Sequence, residues 1–83
     1  MLVEEMLKQA KKVYIGTKQT KKALEKEEAQ LVLVARNAEK RVIDPILKLC
    51  EEKEIEIVFI ATMEELGRLC DIEVGSATAA IVQ

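Results

Sequence analysis

Glu64, Glu65 and Asp71 are carboxylates spaced closely enough to share acid–base work, and Cys50 and Cys70 are the two thiols of the chain. Neither set finds the partners that such chemistry needs. The sequence has no histidine, which excludes imidazole bases, Ser/His/Asp triads and His-ligated metal sites. The cysteines lie twenty positions apart without CxxC spacing, so buried free thiols are favoured over a zinc site or a redox dithiol. Thr62-Met63-Glu64-Glu65 is a capping-box pattern, which gives the glutamates a helix start to serve. Gly16-Thr17-Lys18 is too short for a Gly-rich phosphate loop. Neither an enzyme nor a resident cofactor or metal is expected.

Lysines are the remaining chemical signal. Residues 1–26 carry seven lysines against three glutamates, a local charge of +4, while the rest carries six basic and twelve acidic residues, a local charge of −6. Lys8, Lys11, Lys12, Lys18, Lys21, Lys22 and Lys26 all fall where Glu25 is the sole acid. A cationic zone on a chain of net charge −2 points to one localised polyanion site rather than to general attraction. The plain alternative is a solvated helix face. With one Tyr, one Phe and no Trp, recognition by stacked bases is not expected.

These residues must be held by a small scaffold. Eighty-three residues bury about 60–65% of their unfolded surface, enough for one core, so 1–83 reads as a single domain. The opening MLVEEMLKQAKK has neither the charge order nor the apolar run of a signal peptide or membrane span, and a reducing cytoplasm is the expected compartment. Val3, Met6, Leu7 and Ala10 recur at helical spacing over residues 3–12. Val13-Tyr14-Ile15 is β-prone and ends at Gly16. A second helix is expected from Thr17, as N-cap, through Thr20, Ala23 and Leu24. Residues 29–35 are almost continuously aliphatic, the pattern of a central strand covered on both faces. Residues 39–53 return to helical period, and Pro45 means that the helix either starts near it or kinks there. A strand at 55–60, a helix from Thr62 to about Cys70 with Gly67 permitting close packing, a loop at 71–76 and a small-residue strand at 77–82 complete the chain. This alternation predicts an α/β domain in three layers, an αβα sandwich with helices on both faces of a mixed sheet of about four strands.

Gly16-Thr17-Lys18-Gln19-Thr20-Lys21-Lys22-Ala23-Leu24, Leu31–Ala35, Leu49–Lys53, Glu65-Leu66-Gly67 and Ile72–Ala77 together resemble the kink-turn-binding ribosomal protein family of the L-seven-Ae (L7Ae) type, closest to its small bacterial members. The resemblance runs from about Val3 to Val82, with several motifs in order. It implies an αβα sandwich that recognises kink-turns, RNA helices bent at a three-nucleotide bulge beside tandem sheared G·A pairs. In archaeal and eukaryotic relatives, Asn-Glu occupies the positions of Lys18 and Gln19 and reads guanine edges. Gln19 can hydrogen-bond there, whereas Lys18 donates and cannot accept. The small bacterial members share Gly-Thr-Lys-Gln, and Lys22 falls on a lysine position of the family.

The residues themselves agree on where RNA would sit. A glycine before a helix start lets a backbone approach closely, and the free N–H groups there favour phosphate. Lys18, Lys21 and Lys22 share a helix face. Ile72, Glu73, Val74 and Gly75 would offer apolar contact to a flipped-out bulge base, and Arg36 would reach the RNA backbone. The implied partner is a structured RNA containing a kink-turn, ribosomal or riboswitch-like, met by a monomer and placed on or near the ribosome. The competing reading is a protein assembly module whose basic 8–26 zone meets an acidic partner.

Overall fold

Leu31–Ala35 (β2) is buried at all five positions, because aliphatic side chains on both sides of the pleat need cover on both faces. The computed structural model, which describes residues 3–82, supplies that cover with four helices. The chain runs α1 (Val3–Gln9), β1 (Lys12–Ile15), α2 (Thr17–Glu25), β2, α3 (Lys40–Lys53), β3 (Glu56–Ile60), α4 (Met63–Leu69) and β4 (Thr78–Val82). The sheet order is β1-β4-β2-β3. β4 runs antiparallel to both β1 and β2, while β2 and β3 are parallel, so the sheet is mixed as expected.

Alternation within β2 divides the core. Val32 and Val34 join Ala80 beneath Ala23 and Leu24 of α2 and Ile43, Ile46 and Cys50 of α3. Leu31, Leu33 and Ala35 join Ile60, Ala79, Ile81 and Leu66 of α4, with Met6 and Leu7 of α1 packed alongside. Three layers result.

Boundaries shift by a few residues from the sequence reading, each for a local reason. α1 stops at Gln9 because Lys11 N–H donates to Val82 O at 2.9 Å and Lys12 enters the sheet opposite Val82. Gly16, not Thr17, is the N-cap of α2, with φ 97° and ψ 157°, a region where β-carbons clash. Pro45 lies inside α3, which starts five residues earlier at Lys40. The carbonyl of Arg41, deprived of a donor by Pro45, lies on an exposed turn where water can reach it. α4 begins as its capping box requires, Thr62 Oγ1 accepting from Glu65 N at 3.0 Å. Among the described residues no helix is long and apolar enough to cross a membrane.

Candidate nucleic-acid interface

The strand directions gather the loops of interest at one end of the sheet. β1, β2 and β3 finish there and β4 begins there, since Ile15 pairs with Ala79, Val34 with Thr78 and Ala35 with Ile60. Gly16, Arg36 and the 71–77 loop therefore share an edge. The Thr78 carbonyl joins two of them, accepting from Gly16 N at 2.9 Å and from Ser76 Oγ at 2.8 Å.

At Gly16 the chain turns from β1 into α2, and a β-carbon there would meet no other group within 4 Å. The space above it is open. Gly16 provides no side-chain cap; its carbonyl accepts from Thr20 N, leaving the N–H groups of Thr17, Lys18 and Gln19 at an uncapped helix end. Lys18 occupies the first turn, where the helix dipole disfavours a cation and where α1 and α4 instead carry acids. The result is a concentrated positive end without internal compensation. Lys18, Gln19, Lys21 and Lys22 are exposed, while Thr20, Ala23 and Leu24 form the buried stripe that orients them outward.

The basic zone of the sequence is not one surface. β1 runs toward Gly16 and α2 runs back from it, so Lys11 and Lys12 lie toward the opposite end of the sheet from Lys18, while Lys21, Lys22 and the C-cap Lys26 step back along α2. Lys12 stacks its ammonium 4.5 Å from the Tyr14 ring centroid on the β1 edge. Contiguity in sequence is here divided by a strand–helix reversal.

The 72–75 loop exposes Val74, at 71% of its surface, beside exposed Glu73 and half-buried Ile72. Its backbone is pinned: Ile72 N donates to Gly67 O at 3.0 Å and Ser76 N to Met63 O at 3.1 Å. Gly67 lies under Val74, where a β-carbon would overlap the carbonyl oxygen, and Gly75 packs on Met63 with β-carbon clearances of 3.2 Å. Asn37 Oδ1 accepts from Met63 N at 2.8 Å, so Asn37 fastens the β2–α3 connection to the start of α4. Arg36 N continues the parallel ladder onto Ile60 O at 2.8 Å, and its guanidinium lies 5.0 Å from the Phe59 ring centroid.

Several residues that position this end carry only weak sequence signals. Thr20 and Thr78 are fully buried and share a hydrogen bond, and Ser76 is buried behind the loop. The sequence places Thr20 on the inward stripe of α2 with Ala23 and Leu24, but carries no signal of its bond to Thr78. Cys50 is fully buried, and burial pushes its thiol up to about 11; Cys70, half-buried, is also raised by burial. Neither has the thiolate character of a nucleophile. Glu64 and Glu65 lie exposed in the first turn of α4. A hollow of about 450 Å³ between α1 and α4, lined by Leu7, Val13, Arg68 and Cys70 among others, shares no residue with the lysine ridge.

The αβα sandwich presents an open, uncapped basic helix start beside an exposed apolar loop, a surface whose charge suits an anion. The chain belongs to the ribosomal protein L7Ae/L30e/S12e/Gadd45 family, whose model matches residues 2–83. It is 44% identical over 77 residues to an RNA-binding protein of Halalkalibacterium halodurans, covering 93% of this chain and 94% of that one. An RNA-binding protein of Caldanaerobacter subterraneus subsp. tengcongensis is 52% identical over 68 residues, 82% of this chain and 83% of its own. Among solved structures, the Giardia lamblia 15.5kD RNA binding protein superposes with a TM-score of 0.84 at 28% identity, spanning 98% of this chain and 68% of that one.

Proposed function

We propose that this chain, acting as one domain, binds structured RNA without turnover and recognises kink-turns, holding the bent conformer by binding it preferentially. The observation that carries the reading is the uncapped start of α2 behind Gly16, charged by Lys18, Lys21 and Lys22 and tied through the Thr78 carbonyl to the strand that follows the Val74 loop. Backbone N–H groups of Thr17 and Lys18 meet phosphate. Lys18 and Gln19 address the guanine edges of the G·A pairs, and Lys22 neutralises the adjoining backbone. Ile72 and Val74 hold the flipped-out bulge base, with Glu73 and Gly75 shaping the loop, and Arg36 extends the backbone contact.

The RNA-binding names of the two bacterial relatives and the ribosomal description of the family support this reading and favour a ribosomal or ribosome-associated role on ribosomal RNA or a riboswitch-like transcript. The assembly-module reading is weakened because Lys11 and Lys12 on β1 lie toward the far end of the sheet from Lys18, so the basic 8–26 zone is not one patch. Titration of a fluorescent kink-turn RNA, beside a control whose G·A pairs are replaced by Watson–Crick pairs, tests the proposal at two salt concentrations. Strong preference for the kink-turn with a modest salt slope is expected. Equal, steeply salt-dependent binding of both RNAs would reduce the site to a polyanion patch.

A further inference from the structure

We infer that Arg36 and Phe59 form a second RNA-binding element, a stacking shelf for an unpaired base in a strand leaving the bent RNA. This rests on the RNA-binding reading above. Phe59 and Val74 are the two exposed large hydrophobic side chains among the described residues, Phe59 at 44%. Val74 already has a role in the loop; Phe59 has none in the core or in the α2 ridge.

The geometry of the pair follows from the sheet. Phe59 is the cross-strand partner of Val34, and Arg36 stands two residues beyond Val34, so both project from the sheet face covered by α2 and α3. The hydrogen bond from Arg36 N to Ile60 O holds the two backbones together, and the guanidinium carbon comes to rest 5.0 Å from the ring centroid. Among the described residues the one ion pair joins Arg41 to Glu39, which leaves the Arg36 guanidinium without a carboxylate. An exposed, uncompensated guanidinium laid over a partly exposed ring offers the kind of planar surface on which unstacked RNA bases rest.

Its place in the fold fits an RNA already seated at Gly16. The shelf is at the same end of the sheet, across the order β1-β4-β2-β3. Three strand spacings separate the two, about 14 Å, so a strand leaving the α2 ridge can cross to it. Exposed Lys40, four residues past Arg36, gives the crossing backbone a further cation. Arginine laid over an exposed ring to limit apolar surface is the competing explanation. It demands no plane and no ring, only cover, and conservative substitutions therefore separate the two.

The test compares a blunt-ended kink-turn RNA with the same RNA carrying a short unpaired purine extension containing 2-aminopurine, on wild type, Phe59→Leu and Arg36→Lys, each shown folded by its melting curve. The extension should tighten wild-type binding by about tenfold and quench the 2-aminopurine. Phe59→Leu should bind the blunt RNA as wild type does and lose both the increment and the quenching; Arg36→Lys, which keeps charge but not the plane, should also lose the increment. An extension that adds nothing for wild type, or an increment that survives Phe59→Leu, overturns the shelf. So does a concentration-dependent dimer that Phe59→Leu dissolves, because the ring then serves a protein contact. Failure of wild type to bind even the blunt RNA instead removes the underlying reading, and the shelf with it.

Discussion

Thr78 Oγ1 donates to Thr20 Oγ1 at 3.1 Å, with both side chains fully buried between α2 and β4. This bond fixes the first turn of α2, and with it Lys18 and Gln19, against the strand whose carbonyl holds Gly16, and Lys22 follows in the last turn of the same helix. Thr20→Val leaves the Thr78 hydroxyl without its acceptor in an apolar setting and should cost about 1–3 kcal/mol. Replacing both threonines by valine removes donor and acceptor together, so the double variant should be less destabilised than the sum of the singles. A denaturant double-mutant cycle measures the coupling; strict additivity would mean that the bond contributes nothing.

Gly67→Ala sets a gain in helix propensity of about 1 kcal/mol against a clash with the Val74 backbone, and overpacking of that kind costs about 1–3 kcal/mol. A β-carbon would come within 3.1 Å of the Val74 carbonyl carbon, a backbone atom that cannot turn aside. Net destabilisation and displacement of the 72–75 loop are expected, with a melting temperature lowered by several degrees and weaker kink-turn binding. A melting temperature equal to or above that of wild type would show that the loop moves freely.

The division into helices and strands was legible because periods of 3.6 and 2 leave clear marks: Leu31–Ala35 announced a central strand, and Thr62 with Glu65 announced a cap that the structure places at 3.0 Å. Gly67 was legible as a close-packing site. The sheet order was not, since Lys12 meets Val82 only through pairing that spans nearly the whole chain. For the same reason the lysine zone looked like one patch, and the meeting of Arg36 with Phe59 was invisible until β2 and β3 were aligned in parallel. Counting aromatic residues argued against base stacking; it could not register that one ring is exposed beside a guanidinium.

The separation of the lysines predicts unequal effects. Lys22→Ala should weaken binding to all kink-turn sequences and reduce the salt slope by about one. Lys11 lies about 16 Å of extended chain from Gly16, beyond a Debye length at physiological salt. Lys11→Ala should therefore leave affinity within about twofold of wild type at physiological salt. Equal losses from the two substitutions would favour diffuse attraction over a localised site.

Burial of Cys50 links stability to alkaline pH. Its thiol is raised from 9.0 to about 11 in the folded chain, so the unfolded chain loses the proton first. The contribution is complete below about pH 9 and is lost as pH rises to about 11, at most about 2–3 kcal/mol. Cys50→Ala should cost about 1 kcal/mol at neutral pH, through a small cavity, yet flatten the decline above pH 9. Cys70 shifts in the same direction, so the slope should be reduced rather than abolished. Unfolding curves at pH 7, 9 and 10.5 decide this; parallel declines in both proteins would mean that the thiol does not govern alkaline stability.

Gly16 combines a conformational need with an empty approach, and the two can be measured separately. At φ 97° and ψ 157° a side chain is strained whatever the space, and Gly16→Ala should cost about 1–3 kcal/mol although nothing lies within 4 Å of the new methyl group. That open side is where the proposed RNA backbone comes closest. The alanine variant should consequently lose affinity for kink-turn RNA even at temperatures where it is fully folded, and Gly16→Asp should lose more, since it adds a negative charge beside the free N–H groups of α2. Stability from unfolding curves and affinity from titration then separate strain from occlusion. A folded Gly16→Asp protein that binds as tightly as wild type would move the RNA away from this helix start altogether.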